Sequence, residues 1–193
     1  MRSALAALAL LWAAMLALGG GATDRALLAS FQAGQHPAIA TAARWLTQWG
    51  SGFILLPLAA LAALWLAARR RPHAALLLVA ITLFVRVTVA AEKLVIGRTR
   101  PEPRLHLVDV GLSSFPSAHA ANSMATLLCL ALLVPRETRP LAIGLALLLA
   151  CAIGISRLVL GVHWPSDVVG GWAFGAFCTL AGLALARRRL SLS

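Results

Sequence analysis

Between Ser156 and Asp167 the chain sets a permanent cation, an imidazole and a carboxylate within a dozen residues, Ser156-Arg157-Leu-Val-Leu-Gly-Val-His163-Trp-Pro-Ser-Asp167, and both flanks are strongly apolar. Polar groups placed like this in an apolar chain need partners or a function. Pro165 suits the first position of a helix, which puts Asp167 in the first turn, where the helix dipole favours a carboxylate. From there it can reach back four residues to His163, fix the imidazole tautomer and raise its basicity, as the orienting acid of a triad does. Arg157 brings a forked set of donors suited to phosphate oxygens. A structural reading fits the same residues: an Arg157–Asp167 ion pair, with His163 bonded at a helix end.

Two further polar segments precede this one. Lys93-Leu-Val-Ile-Gly-Arg-Thr-Arg100-Pro101 supplies two cations for a site, Lys93 and Arg100. Pro116-Ser117-Ala118-His119 supplies a hydroxyl, a second imidazole and the start of an apolar run. Together the segments suit phosphoryl transfer, where catalysis is mostly positioning and stabilisation of charge on the equatorial oxygens. Three cations brought together repel one another unless they share an anion. Ser117 and the N–H groups after Pro116 would form an anion site at a helix start. Two histidines allow one to attack phosphorus and the other to protonate the leaving oxygen. A zinc site from His119, His163 and Asp167 is possible by ligand type, but the cations oppose a dication. The expectation is therefore no metal and no cofactor.

The elements that must position these groups are membrane-like. The chain has 193 residues, 61% hydrophobic and only 12% charged, with mean hydropathy +0.87. A soluble domain carries about 25% charged residues, so the solvent here is lipid, and the length suits one domain over residues 1–193. Net charge is +11. The basic residues fall in short clusters between apolar runs, which fits positive-inside topology, and the aromatic-studded basic face of a nucleic-acid binder is missing. Cys129, Cys151 and Cys178 lie inside apolar runs without zinc-like or redox spacing, so no disulfide is expected.

Six spans are read from the apolar runs, at residues 3–22, 53–68, 74–91, 117–134, 141–160 and 168–186, giving an all-α, polytopic six-transmembrane-helix bundle. The first run, which ends in Gly19-Gly20-Gly21-Ala22, also resembles a cleavable signal peptide. An uncleaved helix is preferred because an even total returns both termini to the side of Arg2. Residues 38–49, with Ala42, Trp45, Leu46 and Trp49 at helical spacing, read as an amphipathic helix in the interface. Residues 92–115 read as a polar loop. Arg2, Arg69–Arg71, Arg136, Arg139 and Arg187–Arg189 then share the cytoplasmic side. Seven basic residues remain outside, Arg25, Arg44, Lys93, Arg98, Arg100, Arg104 and Arg157, and a functional cluster would account for that excess. Arg86, inside the third span, is assigned a structural role. Arg98 and Arg104 are read as solvated or headgroup contacts, and His36, His73 and His106 as loop residues.

Lys-x6-Arg-Pro, Pro-Ser-x-His and Ser-Arg-x5-His-x3-Asp, in that order over residues 93–167, resemble the three-part signature of the type 2 phosphatidic acid phosphatases. The six-helix frame resembles the membrane lipid phosphatase branch of that superfamily. The resemblance implies His163 as a nucleophile forming a phosphohistidine, Asp167 as its orienting acid and His119 as the general acid. It implies Lys93, Arg100, Ser117, the backbone N–H of Ala118 and Arg157 as phosphate ligands, with no metal. Many members have glycine where this chain has Ala118; the N–H is retained. The implied function is an integral membrane phosphatase acting on a lipid phosphomonoester or terminal diphosphate, such as undecaprenyl diphosphate, phosphatidic acid or phosphatidylglycerol phosphate. The bilayer would be its other partner, and its place the bacterial cytoplasmic membrane, with the site facing the periplasm or cell exterior. A lipid phosphotransferase using the same site and a non-catalytic phospholipid transporter are the alternatives. Oligomeric state is left open.

Overall fold

The apolar runs are rich in Leu and Ala, strong helix formers, and the computed structural model folds them into helices throughout. It describes residues 1–33 and 36–190, with backbone alone for 187–190. The side chains of Arg187–Arg189, expected to mark the cytoplasmic end of the last span, lie outside the described residues. Eight α-helices follow in order among the described residues: α1 (Arg2–Leu18), α2 (Ala22–Phe31), α3 (Pro37–Gln48), α4 (Gly52–Ala68), α5 (Pro72–Ile96), α6 (Ala118–Leu133), α7 (Arg139–Val159) and α8 (Pro165–Leu190). The only pairing of extended backbone described is one isolated bridge, Thr99 to Ser113. Proline opens α3, α5, α7 and α8, where its missing N–H costs nothing.

Four stretches are long and apolar enough to cross a membrane: Pro37–Ala68, Pro72–Ile96, Arg139–Val159 and Pro165–Ala186. A fifth is gained if α1 and α2, bent by 99° from each other, form one broken span. The sixth expected span is α6, whose 16 residues reach only about 24 Å at 1.5 Å per residue.

Two boundaries differ from the sequence reading, and α3 shows which of its faces meets protein. The first apolar run was expected to continue to residue 22; it breaks at Gly19–Gly21, where Gly20 takes φ +81°, and the chain turns into the unforeseen α2. The helix at 37–48 faces α7 with Ala40, Ala43 and Thr47 and leaves Trp45 and Trp49 exposed. The polar loop was expected to begin at residue 92, but α5 runs on through Glu92 and Lys93. Those two side chains do not stop a helix; Gly97, left-handed at φ +61°, does.

The buried α6 lies against α4, α5, α7 and α8, and α1 covers the outer side of α8. Its approach to α8 depends on Gly171 and Gly175, a small-xxx-small pair that lets two backbones close. A Cβ on Gly171 would fall 2.7 Å from the Ser117 carbonyl, and one on Gly175 2.4 Å from that of Ala121. This contact sets the start of α6, with Ser117 and His119, beside the start of α8, with Asp167. At the opposite end Arg71 and Arg139 donate to the last carbonyls of α6, at Leu133 and Val134, both at 2.9 Å.

Gly175→Ala should lower thermal stability in detergent by about 1–3 kcal/mol, the range for overpacking against a neighbour that cannot yield. Gly144→Ala, in the body of α7 with open space around it, should hold or raise it by about 0.5–1 kcal/mol. Melting both variants beside wild type checks the contrast.

Candidate active site

The turn from α7 to α8 carries His163. Gly161 makes that turn with φ +71°, in a place where a Cβ would fall 2.1 Å from the Leu105 carbonyl oxygen. Proline at 165 then opens α8 and places Asp167 in its first turn. His163 Nδ1 lies 3.2 Å from Asp167 Oδ2 and 3.3 Å from Ser114 Oγ, and both the imidazole and the carboxylate are buried. Facing a carboxylate, Nδ1 carries the proton and donates it; Nε2 on the other edge keeps its lone pair. Arg100 Nη1 donates to that Nε2 at 3.1 Å.

The three polar segments converge on this histidine. Lys93, in the last turn of α5, donates to the carbonyls of Ser113 and Ser114, both at 2.9 Å. Arg100 also donates to the carbonyls of Val162, at 2.6 Å, and Gly111, at 2.5 Å. Arg157, in the last turn of α7, is buried, donates to Thr47 Oγ1 at 2.7 Å, and keeps its Nε without a partner among the described residues. Ser117 is the N-cap of α6, yet its buried hydroxyl makes neither a cap bond nor any other. Ala118 and His119 follow in the first turn, where N–H groups point outward unpaired. His119 lies within electrostatic reach of Arg157, His163, Lys93 and Arg100. Every residue singled out for a site therefore meets at one end of the bundle. Ser117 Oγ and Arg157 Nε are among six buried side-chain donors without partners among the described residues; at this rim, phosphate oxygens would satisfy both.

The Arg157–Asp167 pair of the structural reading is not formed. Asp167 pairs instead with Arg98, which sequence reasoning had set aside as solvated. Arg98 is 10% exposed in its side chain and donates from Nη1 to Asp167 Oδ1 at 2.9 Å and to Ser166 Oγ at 3.1 Å. Its Nη2 donates to the carbonyls of Met15, at 3.0 Å, and Leu16, at 2.5 Å, and its plane lies over Phe115 with 4.3 Å to the ring centre. Ser166 in turn donates backbone N–H (3.0 Å) and hydroxyl (2.5 Å) to Asp24, buried at the start of α2. Neither Asp24 nor Ser114 was foreseen. The only signal for Arg98 was its position two residues before Arg100. By contrast Arg104 pairs with Glu102 in the open, where ion pairs contribute little.

Charge and burial set the protonation of the imidazole. His163 is held well below the ordinary histidine range, first by burial and then by Arg100, Arg157 and Lys93 facing it. Burial also lowers Arg100, against the pull of Asp167.

Family comparison agrees with this geometry. The model of the PAP2 superfamily matches residues 73–191. The chain belongs to the PAP2 superfamily. A decaprenylphosphoryl-5-phosphoribose phosphatase of Mycobacterium tuberculosis is 37% identical over 146 residues, 73% of this chain and 77% of that protein. A lipid A 1-phosphatase of Rhizobium johnstonii is 37% identical over 110 residues, 49% of this chain but only 41% of the relative's length. The crystal structure of a transmembrane PAP2 type phosphatidylglycerolphosphate phosphatase from Bacillus subtilis superposes with TM-score 0.88 over 95% of this chain and 96% of its own, at 23% identity. That last likeness shows the PAP2 fold.

A lowered pKa means that the neutral imidazole persists as pH falls through the ordinary histidine range and is lost only below it. The ¹⁵N shifts of His163 in detergent should show an Nδ1–H tautomer at neutral pH and a midpoint well below 6.5. Arg100→Gln, which removes one facing charge, should move that midpoint upward.

Proposed function

We propose that this PAP2 protein is an integral membrane phosphatase that removes a phosphomonoester or terminal phosphate from a lipid. The observation that carries the reading is the imidazole of His163. Its Nδ1 is bound to Asp167 and its Nε2 is aimed among Arg100, Lys93 and Arg157. Nε2 attacks phosphorus while the ester oxygen departs, and Asp167 stabilises the imidazolium form through Nδ1–H. Lys93, Arg100, Arg157, Ser117 and the N–H groups of Ala118 and its neighbours share the equatorial oxygens. His119 gives its proton to the leaving oxygen. A water then attacks the phosphohistidine, His119 takes the water's proton, and the N–P bond breaks to release phosphate. No metal enters these steps. The names of the relatives, phosphatases of lipid-linked phosphates, support a lipid substrate.

The membrane frame is part of the same proposal. Six spans result when α6 and the bent α1–α2 pair are counted. Arg69–Arg71, Arg136 and Arg139 mark the cytoplasmic end, so the site opens at the periplasmic or outer face of a bacterial cytoplasmic membrane. Helix α3 lies at that rim, its tryptophans at the interface. The whole chain works as one domain.

Two measurements test the reading. Purified protein in detergent should release phosphate from lipid phosphates, and His163→Ala should lower the rate at least about 10³-fold while melting like wild type. EDTA should leave the rate largely intact; strict dependence on Mg²⁺ would overturn the metal-free mechanism. Arg98→Gln should lower kcat by about 10–100-fold with a smaller change in KM, because it loosens Asp167 rather than the phosphate, and Arg98→Lys should restore part of the loss.

A further inference from the structure

Arg86 takes no part in the steps above; it is an exposed residue in the body of a membrane helix, where a charge is tolerated mainly when it reaches an interior or a cavity. It has no carboxylate partner among the described residues. Its guanidinium lies on Gly52 at the start of α4: a Cβ there would fall 2.3 Å from Nη2 and 2.7 Å from Nη1. Arg86, Gly52, Gly50, Lys93, His119 and Asn122 line one cavity of about 230 Å³. Asn122, on α6 one turn beyond His119, is 7% exposed, and its Oδ1 is buried without a hydrogen-bond partner. At Gly50 a Cβ would fall 3.1 Å from His119 Cδ2. Both glycines thus present bare backbone to the cavity wall.

The cavity's place relative to the chemistry gives it meaning. In the hydrolase reading, on which this inference rests, His163 attacks one side of phosphorus and His119 protonates the oxygen leaving on the other. The space beyond His119 belongs to the leaving group. A cation there matches a leaving group that is itself anionic. We propose that Arg86 binds a second phosphate in the leaving group, either the inner phosphate of a lipid diphosphate or the phosphodiester of a phosphoglycerol lipid. With a diphosphate, the terminal P–O bond to the bridging oxygen breaks as His163 Nε2 bonds to phosphorus. His119 supplies the proton to that oxygen, and a lipid monophosphate departs from Arg86.

The test compares kcat/KM in two substrate pairs: a polyprenyl diphosphate against its monophosphate, and phosphatidylglycerol phosphate against phosphatidic acid. Wild type should favour the first member of at least one pair. Arg86→Gln should reduce that preference at least about tenfold, the effect of losing one charge-assisted hydrogen bond. The pair that collapses identifies the source of the second phosphate. Gly52→Ala, whose methyl displaces the guanidinium while keeping the charge, should shift the same ratio in the same direction. A ratio within about twofold of wild type in Arg86→Gln for both pairs would overturn the assignment. So would equal loss on all four substrates, which marks a structural arginine. Wild type releasing no phosphate from any of the four would overturn the hydrolase reading and this assignment with it.

Discussion

The site depends on one buried carboxylate. Asp167 is fully enclosed, and an enclosed charge is costly unless it is paired and hydrogen-bonded. Its partners come from separate parts of the chain. His163 and the Trp164 N–H (2.9 Å) belong to the α7–α8 turn; Arg98 and Ser114 come from the two ends of the long α5–α6 loop. Satisfying a single group therefore pins that loop onto that turn. The loop is anchored in two more places by Lys93 and Arg100, whose donors hold its carbonyls. The order of this rim follows from meeting the hydrogen-bond demand of one side chain.

The same demand reaches the N-terminal segment. Arg98 divides its guanidinium between Asp167 and the carbonyls that end α1, and Ser166 joins it to Asp24 in α2. The elbow between α1 and α2 is thus tied to the residue that orients His163. Loosening it would leave three buried or half-buried polar groups in want of partners, each costing on the order of 1–3 kcal/mol. That gives the glycine turn at 19–21 a role in the site as well as in the path of the chain.

Much of this was legible in the sequence, because the signals were local. Pro165 and Asp167 marked a helix start, and the four-residue spacing carried Asp167 back to His163. Ser117 and the apolar run after it marked α6 to within a residue at each end. Elsewhere local signals misled. Glu92 and Lys93 looked like the beginning of a loop because they are charged, but charge does not end a helix and Gly97 does. Arg98 looked like a solvated residue because its partners, Asp167 and the end of α1, lie about 70 and 80 positions away. Asp24 was invisible for the same reason: its value is set by Ser166, 142 residues on. The amphipathic reading of α3 rested on the face of Ala42, Trp45, Leu46 and Trp49; the small residues Ala40 and Ala43, which α7 receives, carried no such signal. Single-sequence periodicity finds apolar stripes; it does not say which stripe meets protein and which meets lipid.

The arrangement of charges is also matched to the direction of each helix. Four helices alternate through the bundle, so the site rim gathers two C-terminal ends, α5 and α7, and two N-terminal ends, α6 and α8. The C-terminal ends carry the cations Lys93 and Arg157 in their last turns, where the helix dipole favours positive charge. The N-terminal ends carry Asp167 and, at α6, free N–H groups with the Ser117 hydroxyl, where it favours anions. Dipoles thus stabilise each charged group at its own helix end, before any of them meets another. Bringing the four ends together in a weakly screened setting leaves an excess of positive charge beside Nε2 of His163. A dianionic phosphate would relieve that excess, so a rim built to be tolerable helix by helix would suit phosphate as a whole.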